Sequence, residues 1–409
     1  MSGCGVEHGL ITVDEALAKI SEHVIALSHE ALPLVDALNR YLAKDVCASI
    51  ELPIFSQSAV DGYAICSSHP LRKEEYFEVI GEIRAGQITD IVLSEGQAVR
   101  IFTGGKIPQG TSTVARQEII AVQDQNQIRI TQDLNLDVDI RHRGEEVALG
   151  QCLAQRGQKL HVGAIAALSM AGINQVQVYA YPKVAVLISG DEVAASIEDF
   201  QAGQIFDANG PMLDAWFADR QQRVDIFHVS DDREQVKASI DQCSKDYDVI
   251  FTTGGVSVGD YDFIRPVSLE LGFQQLFWKV KQKPGKPMFF AKLEREKQSP
   301  CYLMGLPGNP AAVYVGMQVY GNTLLNALQG QTQPLRWFTA RLSHAVKPDQ
   351  RERFLRMCMT TNAGEINVAT LKNQQSHMLS NLMQANCLVR IPAGISLDAG
   401  ACIKGIMIL

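Results

Sequence analysis

None of the cysteines in this chain of 409 residues falls in a C-x-x-C pair, and their number is odd: nine, scattered singly at 4, 47, 66, 152, 243, 301, 358, 387 and 402. This pattern argues against a disulfide framework or a cysteine zinc site and implies reduced thiols in a cytosolic protein. Long apolar runs are missing too. The longest, Val162 to Ile173, is shorter than the roughly 20 residues of a membrane span and is interrupted by Gly163, Ser169 and Gly172, so it reads as a buried helix. The opening Met-Ser-Gly-Cys-Gly-Val-Glu-His has neither the basic region nor the apolar core of a signal peptide. Positive charge is in short supply as well. A net charge of −8 and a pI near 5.6 argue against a nucleic-acid or membrane-surface partner, so any anion site must be a local basic patch. The nine histidines show no metal-ligand spacing. The absence of a Gly-x-Ser-x-Gly elbow and of a Walker loop argues against an esterase or a P-loop NTPase.

What is present is an ordinary globular composition, 46% apolar and 20% charged, long enough for two to four domains. Thr12 followed by Glu15 signals a capping box opening a helix from Val13 to about Leu27. Leu32 to Val46 reads as a strand or turn leading into a short helix that ends near Ala43. Between Leu52 and Glu146, short alternating segments separated by Gly, Pro, Asp and Asn suggest an inserted all-β module. Helix returns at Lys159 to Ala171. Residues 183 to 328 alternate strand and helix with the period of a doubly wound sheet, where ligands gather at the carboxyl ends of strands. From about Thr332 a small β-domain is expected.

The most informative stretch is 248 to 262, where an apolar strand enters a glycine-rich turn with Gly254, Gly255 and Gly259 and closes on Asp260 and Asp262. Glycines let backbone N–H groups approach a phosphate or other anion. Two carboxylates would repel it, at about 4 kcal/mol per pair of unit charges 4 Å apart at an effective dielectric of 20. The turn therefore predicts an anionic ligand together with a hard cation such as Mg2+. Asp191, Glu192, Asp231 and Asp232 follow two neighbouring strands and could converge on the same metal. One of the Asp231–Asp232 pair is expected to cap the helix at Arg233 instead. Lys279, Lys281 and Lys283 alternate along an expected strand and run into Pro284-Gly285-Lys286-Pro287. Solvated edge lysines are the bland alternative, but in an acidic chain the cluster suits an oxyanion. Taken alone, Ser58 to Ala64 and Thr103 to Gly110 look like structural turns.

In order along the chain, S-A-V-D-G-Y-A (58–64), T-G-G-K-I-P-Q-G (103–110), R-G-E-E (143–146), S-G-D-E (189–192), G-Q-I-F-D-A-N (203–209), the glycine turn, K-P-G-K-P (283–287) and G-L-P-G-N-P (305–310) resemble the molybdopterin molybdenumtransferase family, the MoeA and gephyrin E-domain proteins. The resemblance implies a multidomain α/β fold. Its parts are a discontinuous elongated domain (1–50 and 147–180), an inserted β-rich domain (51–146), a doubly wound α/β molybdopterin-binding domain (181–329) and a C-terminal β-barrel (330–409). It also implies a cytoplasmic homodimer with active sites between subunits, which uses Mg2+ to cleave AMP from adenylated molybdopterin and leaves molybdenum from molybdate on the pterin. The molybdopterin adenylyltransferase is an implied partner. By motif, Asp61, Thr103, Glu192 and Asp262 would be catalytic, and Glu192, Asp231, Asp232 and Asp262 would hold the metal. Gly254, Gly255, Ser257, Lys279, Lys283, Lys286, Pro307, Asn309, Arg353 and Ser376 would bind substrate.

Two positions depart from the family. Glu146 stands where Asp is usual, and Ser112 where an acidic residue is usual, so the charge of the second is lost. Two other functions compete with the transferase. The related adenylyltransferase has T-G-G-T-G, whereas this chain has Val256-Ser257 after Gly255 and carries flanking domains besides. A non-catalytic scaffold on the same fold is opposed by the intact acidic residues.

Overall fold

The computed structural model describes residues 10–87, 90–194, 198, 200–257, 259, 261–331 and 333–408. Thr332, the expected start of the last module, and Asp260 lie outside the described residues. The chain divides into two compact units, one formed by 31–177 and the other by 1–30 with 178–409.

The 31–177 unit is built on a six-stranded sheet with spatial order Thr113–Arg116, Gly62–Ile65, Gln97–Ile101, Tyr76–Ile83, Gln127–Ile130, Ile120–Asp124. Alternation along a strand sends successive side chains to opposite faces. Tyr63 and Ile65 accordingly join one apolar cluster, with Phe77 and Ile128, while Ala64 joins another with Ile83 and Val99. Gly62 is dictated by crowding: a Cβ there would lie 2.1 Å from the Ala115 carbonyl oxygen on the paired strand. The helix expected to end near Ala43 is not formed. Strand His29–Pro33 leads into a single 3-10 turn, Leu34–Asp36, and Asn39 then takes the left-handed conformation at φ 66, which ends any helical run. The apolar stretch after 162 is helical over Val162–Met170 but not buried. Leu168 is its one buried side chain, while Val162 and Met170 are 74% and 56% exposed.

In the other unit the capping box forms as expected. Thr12 Oγ1 accepts the Glu15 N–H, Glu15 accepts the Thr12 N–H, and the helix Val13–His23 ends a turn earlier than the sequence suggested. The central sheet has six strands in spatial order Asp225–Val229, Val184–Ser189, Val249–Thr253, Cys301–Leu306, Phe289–Leu293, Gln274–Trp278. The first four are parallel, and Phe289–Leu293 runs antiparallel to both of its neighbours. Both faces are covered: Val184, Val186 and Ile188 pack with Leu213 and Phe217 of helix Asn209–Asp219, while Ala185 and Leu187 pack with Val236 and Ile240 of helix Arg233–Asp246. Such doubly covered strands read as continuous apolar runs.

The last helix starts at Pro310 and passes through a π-helical turn at Met317–Gly321 into Asn322–Leu328. Strands Phe338–Leu342, Glu352–Asn362, Glu365–Thr370, Cys387–Ile391 and Cys402–Met407 then form a barrel. It closes because Glu352–Asn362 pairs with both Glu365–Thr370 and Cys387–Ile391. Phe354, Leu388 and Ile406 of that barrel belong to the same apolar cluster as the sheet.

Candidate functional site

The parallel strands end on one cleft of about 680 Å3, lined by Ser189, Gly190, Glu192, Asp207, Asn209, Asp231, Gly254, Gly255, Asp262, Gly308 and Asn309 among others. Four motifs far apart in sequence meet there because their turns follow the carboxyl ends of the four parallel strands, as doubly wound sheets require. A fifth, with Asp207 and Asn209, joins them after the short strand Ile205–Phe206 of a separate two-stranded sheet. The glycine turn is sterically enforced. Gly254 and Gly255 have φ of +87 and +64, and a Cβ on Gly255 would lie 2.7 Å from Ile264 Cγ1. Its N–H groups are less open than the sequence suggested, since Gly254 donates to the Leu306 carbonyl and Gly259 to Asp262 Oδ2 at 2.6 Å.

Four carboxylates line the cleft, Glu192, Asp207, Asp231 and Asp262, and among its described lining residues there is no lysine or arginine. Asp231 shows the consequence. Burial, together with the charges of Asp191, Glu192 and Asp262, pushes its carboxyl above the ordinary value, although the Asp191 N–H pulls the other way. Oxygen donors with excess negative charge are the chemistry of a Mg2+ site, so the residues fit that ion. Among the described residues, however, no three His, Cys, Asp or Glu groups stand together as a finished metal cage. The Asp pair divides as foreseen. Asp232 caps helix Arg233–Asp246 by accepting the Gln235 N–H at 2.9 Å, and Asp231 faces the cleft. Asp232, one of whose oxygens serves the cap, is not among the described residues that line the cleft.

The expected basic patch is reorganised. The strand stops at Trp278, and Lys279 turns left-handed at φ 68 with its Nζ 4.2 Å from the centre of the Trp278 ring. Lys279, Lys281 and Lys283 do not alternate along one strand. Gln282–Lys283 instead pairs in parallel with Glu352–Arg353 of the barrel, which sets Lys283 beside Arg353. Lys283 Nζ lies 3.2 Å from Asp349 Oδ2. Burial leaves Arg353 Nε without a hydrogen-bond partner. Ser376 enters through its backbone, whose carbonyl accepts the Ala311 N–H at 3.0 Å, and the next residue, His377, lines the cleft.

Asp61 and Thr103 belong to the 31–177 unit and pair there. Asp61 Oδ1 accepts the Thr103 N–H at 2.8 Å and the Thr103 hydroxyl at 2.7 Å, and these bonds hold the Asp61 carboxyl below its ordinary value. Two sequence segments that separately looked like plain turns thus form one polar unit. Ser112 ties two turns together, since its hydroxyl donates to the Ile65 carbonyl and accepts the Ser67 N–H. Ser257 and Lys286 stand in the turns assigned to them, but neither they nor Pro307 line the cleft, whereas Asn309 does.

Sequence reasoning missed several groups. Asp207 Oδ1 accepts the N–H groups of Asn209 and Gly210, and its Oδ2 lies 3.0 Å from His228 Nε2. Asn209 Nδ2 bridges to the Gly308 carbonyl at 3.0 Å, while its buried Oδ1 has no partner among protein atoms. Phe206 and Tyr261 stand exposed on the cleft wall. Arg356, 1% exposed, donates to the carbonyls of Asn373, Gln375 and Met378 and so shapes the loop that carries Ser376 and His377. Phe206, Asp207 and Asn209 lie in the 203–209 motif that the resemblance had marked without assigning them a role.

Comparison with known proteins decides the family. Models of the MoeA N-terminal region (domains I and II), a probable molybdopterin binding domain and the MoeA C-terminal region (domain IV) match residues 11–172, 185–327 and 339–407. The molybdopterin molybdenumtransferase of Haemophilus influenzae is 32% identical over 386 residues, covering 93% of this chain and 94% of that protein. The chain belongs to the molybdopterin molybdenumtransferase family. A Staphylococcus aureus molybdopterin molybdenumtransferase is 31% identical over 94% of this chain and 92% of its own length. A crystal structure of a molybdopterin biosynthesis MoeA protein from Pyrococcus horikoshii superimposes with a TM-score of 0.78 at 26% identity, covering 97% of this chain and 99% of that one. Family membership accounts for the α/β domain with its β-rich companions and closed barrel. Among the described residues no helix is long and apolar enough to cross a membrane.

Proposed function

We propose that this member of the molybdopterin molybdenumtransferase family takes molybdate and adenylated molybdopterin, releases AMP and leaves molybdenum on the pterin, with Mg2+ as its metal. The observation that carries this reading is the acidic cleft at the strand ends. A nucleotide phosphate would be repelled by Glu192, Asp231 and Asp262 unless a divalent cation stood between them, and Asp231 is already raised by burial together with its neighbours' charge. Glu192, Asp231 and Asp262 would hold a Mg2+ there, which would supply neutralisation of phosphate charge. Phe206 and Tyr261 offer flat apolar surface to a planar ring. The oxyanion falls to Lys283 and Arg353, which the barrel pairing sets side by side, with Lys279, Lys286 and Ser376 assigned to the same half.

The same reading makes the protein a homodimer in which the Asp61–Thr103 pair of one subunit serves the cleft of the other. Support comes from the exposed apolar helix Val162–Met170 and from Leu149, 67% exposed, in the unit that bears that pair. A cytoplasmic, reducing setting suits the eight described cysteines, all unpaired. The adenylyltransferase that makes the substrate is the natural donor partner. Incubation with adenylated molybdopterin, molybdate and Mg2+ tests the proposal by following AMP. Release that depends on both additions is expected. No release, or formation of the adenylate from ATP instead, would overturn it.

A further inference from the structure

We infer that Cys47 and Cys152 are a redox-active dithiol that closes to an intramolecular disulfide and staples the base of the inserted module. Sequence separates them by the whole module, yet strands Val46–Cys47 and Cys152–Ala154 pair antiparallel with Cys47 and Cys152 as direct partners. Directly paired residues of an antiparallel ladder project to the same face. Cα atoms paired directly across an antiparallel ladder are about 4.5 or 5.5 Å apart, inside the roughly 4.4 to 6.8 Å that a disulfide spans, and the irregularity in this ladder falls between Cys152 and Ala154, beyond the cysteine pair itself. The Cys152 thiol donates to the Ala154 carbonyl on its own strand at 3.5 Å, and Cys47 stands close enough to act on its titration. Both residues are free and exposed, whereas Cys243, Cys301 and Cys387 are buried.

The oxidant is a small soluble disulfide such as oxidised glutathione. One cysteine, as thiolate, attacks a sulfur of that disulfide, breaking its S–S bond and expelling one small thiol. The second protein thiol loses its proton and attacks the protein-bound sulfur of the mixed disulfide, expelling the other small thiol. The protein thereby loses two electrons and two protons, and the small disulfide gains them. Closing the ring ties the chain together on either side of the β-rich insertion, between residues 47 and 152. Cys152 is raised above the usual thiol value by desolvation and by the nearby Asp45 and Cys47, so closure should accelerate as pH rises.

The test treats the full-length protein with excess oxidised glutathione, alkylates the remaining thiols and maps the peptides by mass spectrometry. The expected product is a Cys47–Cys152 linked peptide that reductant dissolves, while Cys402, exposed but not paired with a thiol, carries at most a glutathione adduct. Cys152→Ala should trap a glutathione adduct on Cys47, and Cys47→Ala one on Cys152. A proteolytic nick within 53–145 gives an independent readout: the fragments should stay joined on a non-reducing gel only after oxidation. Separate glutathione adducts on both cysteines of the wild-type protein, linkage of either to a different cysteine, or no reaction at either while Cys402 reacts would each overturn the inference.

Discussion

Truncating Asp207 isolates the contact that fixes the floor of the cleft. Its side chain is 7% exposed; one oxygen accepts the Asn209 and Gly210 N–H groups at 2.8 and 3.0 Å, and the other meets His228. Asp207→Ala strips a helix start of its acceptor, a loss of about 1 to 2 kcal/mol, and the His228 bond adds about 1 kcal/mol. The variant should therefore lose roughly 2 to 3 kcal/mol of stability. Asp207→Asn retains a capping oxygen and should lose less than about 1 kcal/mol, since Asn caps nearly as well as Asp. Urea unfolding followed by tryptophan fluorescence measures both, because Trp216 is buried in that same helix and the other two tryptophans lie in the same unit. The functional consequence runs through Asn209, whose bridge to Gly308 joins two walls of the cleft. AMP should bind more weakly to the alanine variant and nearly normally to the asparagine variant. Equal destabilisation by the two substitutions would refute the argument, because it would make the negative charge, rather than the capping oxygen, the stabilising element.

Asp231, raised in the folded protein, contributes stability that is complete below its ordinary carboxylate value and is lost as pH rises through the raised one. Asp231→Asn should flatten that stretch of the Tm-versus-pH curve, and Mg2+ should raise the Tm of the wild type more than that of the variant; a variant that gains as much from Mg2+ would count against Asp231 as a metal contact. Lys283→Ala should weaken apparent molybdate affinity by roughly tenfold, and high molybdate should restore AMP release. Asp262→Ala should stay slow at every molybdate concentration; rescue of the aspartate variant but not the lysine variant would invert the assignment of metal and oxyanion halves. Arg356→Met leaves three carbonyls without their donor, a cost of about 3 kcal/mol or more, and should speed amide hydrogen exchange across residues 373–378; unchanged exchange there would show that the loop holds itself.

Local chemistry accounts for what could be read in advance. The capping box at Thr12, the unbroken apolar run Val184–Ile188 and the glycine turn after Thr253 each carry their instruction within a few residues, so strands, helices and the acidic strand ends were legible. Where a choice depended on neighbours distant in the chain, the reading failed. Leu32 to Ala43 has helical composition in part, but Pro33 and the left-handed Asn39 lie within it and the Leu34 N–H bonds to the Asn174 carbonyl, so extended pairing wins. The lysines after Trp278 have the period of a strand, yet pairing of Gln282–Lys283 with the barrel takes that segment out of the sheet.

The apolar strand runs and the set of acidic turns were determined by the sequence itself, because each rests on contiguous residues, and the ordered series of motifs from 58 to 310 marked the family. Only the tertiary structure decided that Asp231 faces the cleft while Asp232 caps, that Arg356 holds the Ser376 loop, and that Cys47 meets Cys152. Each of those outcomes is set by which backbone groups and side chains long-range packing leaves without a partner, and no local pattern encodes that.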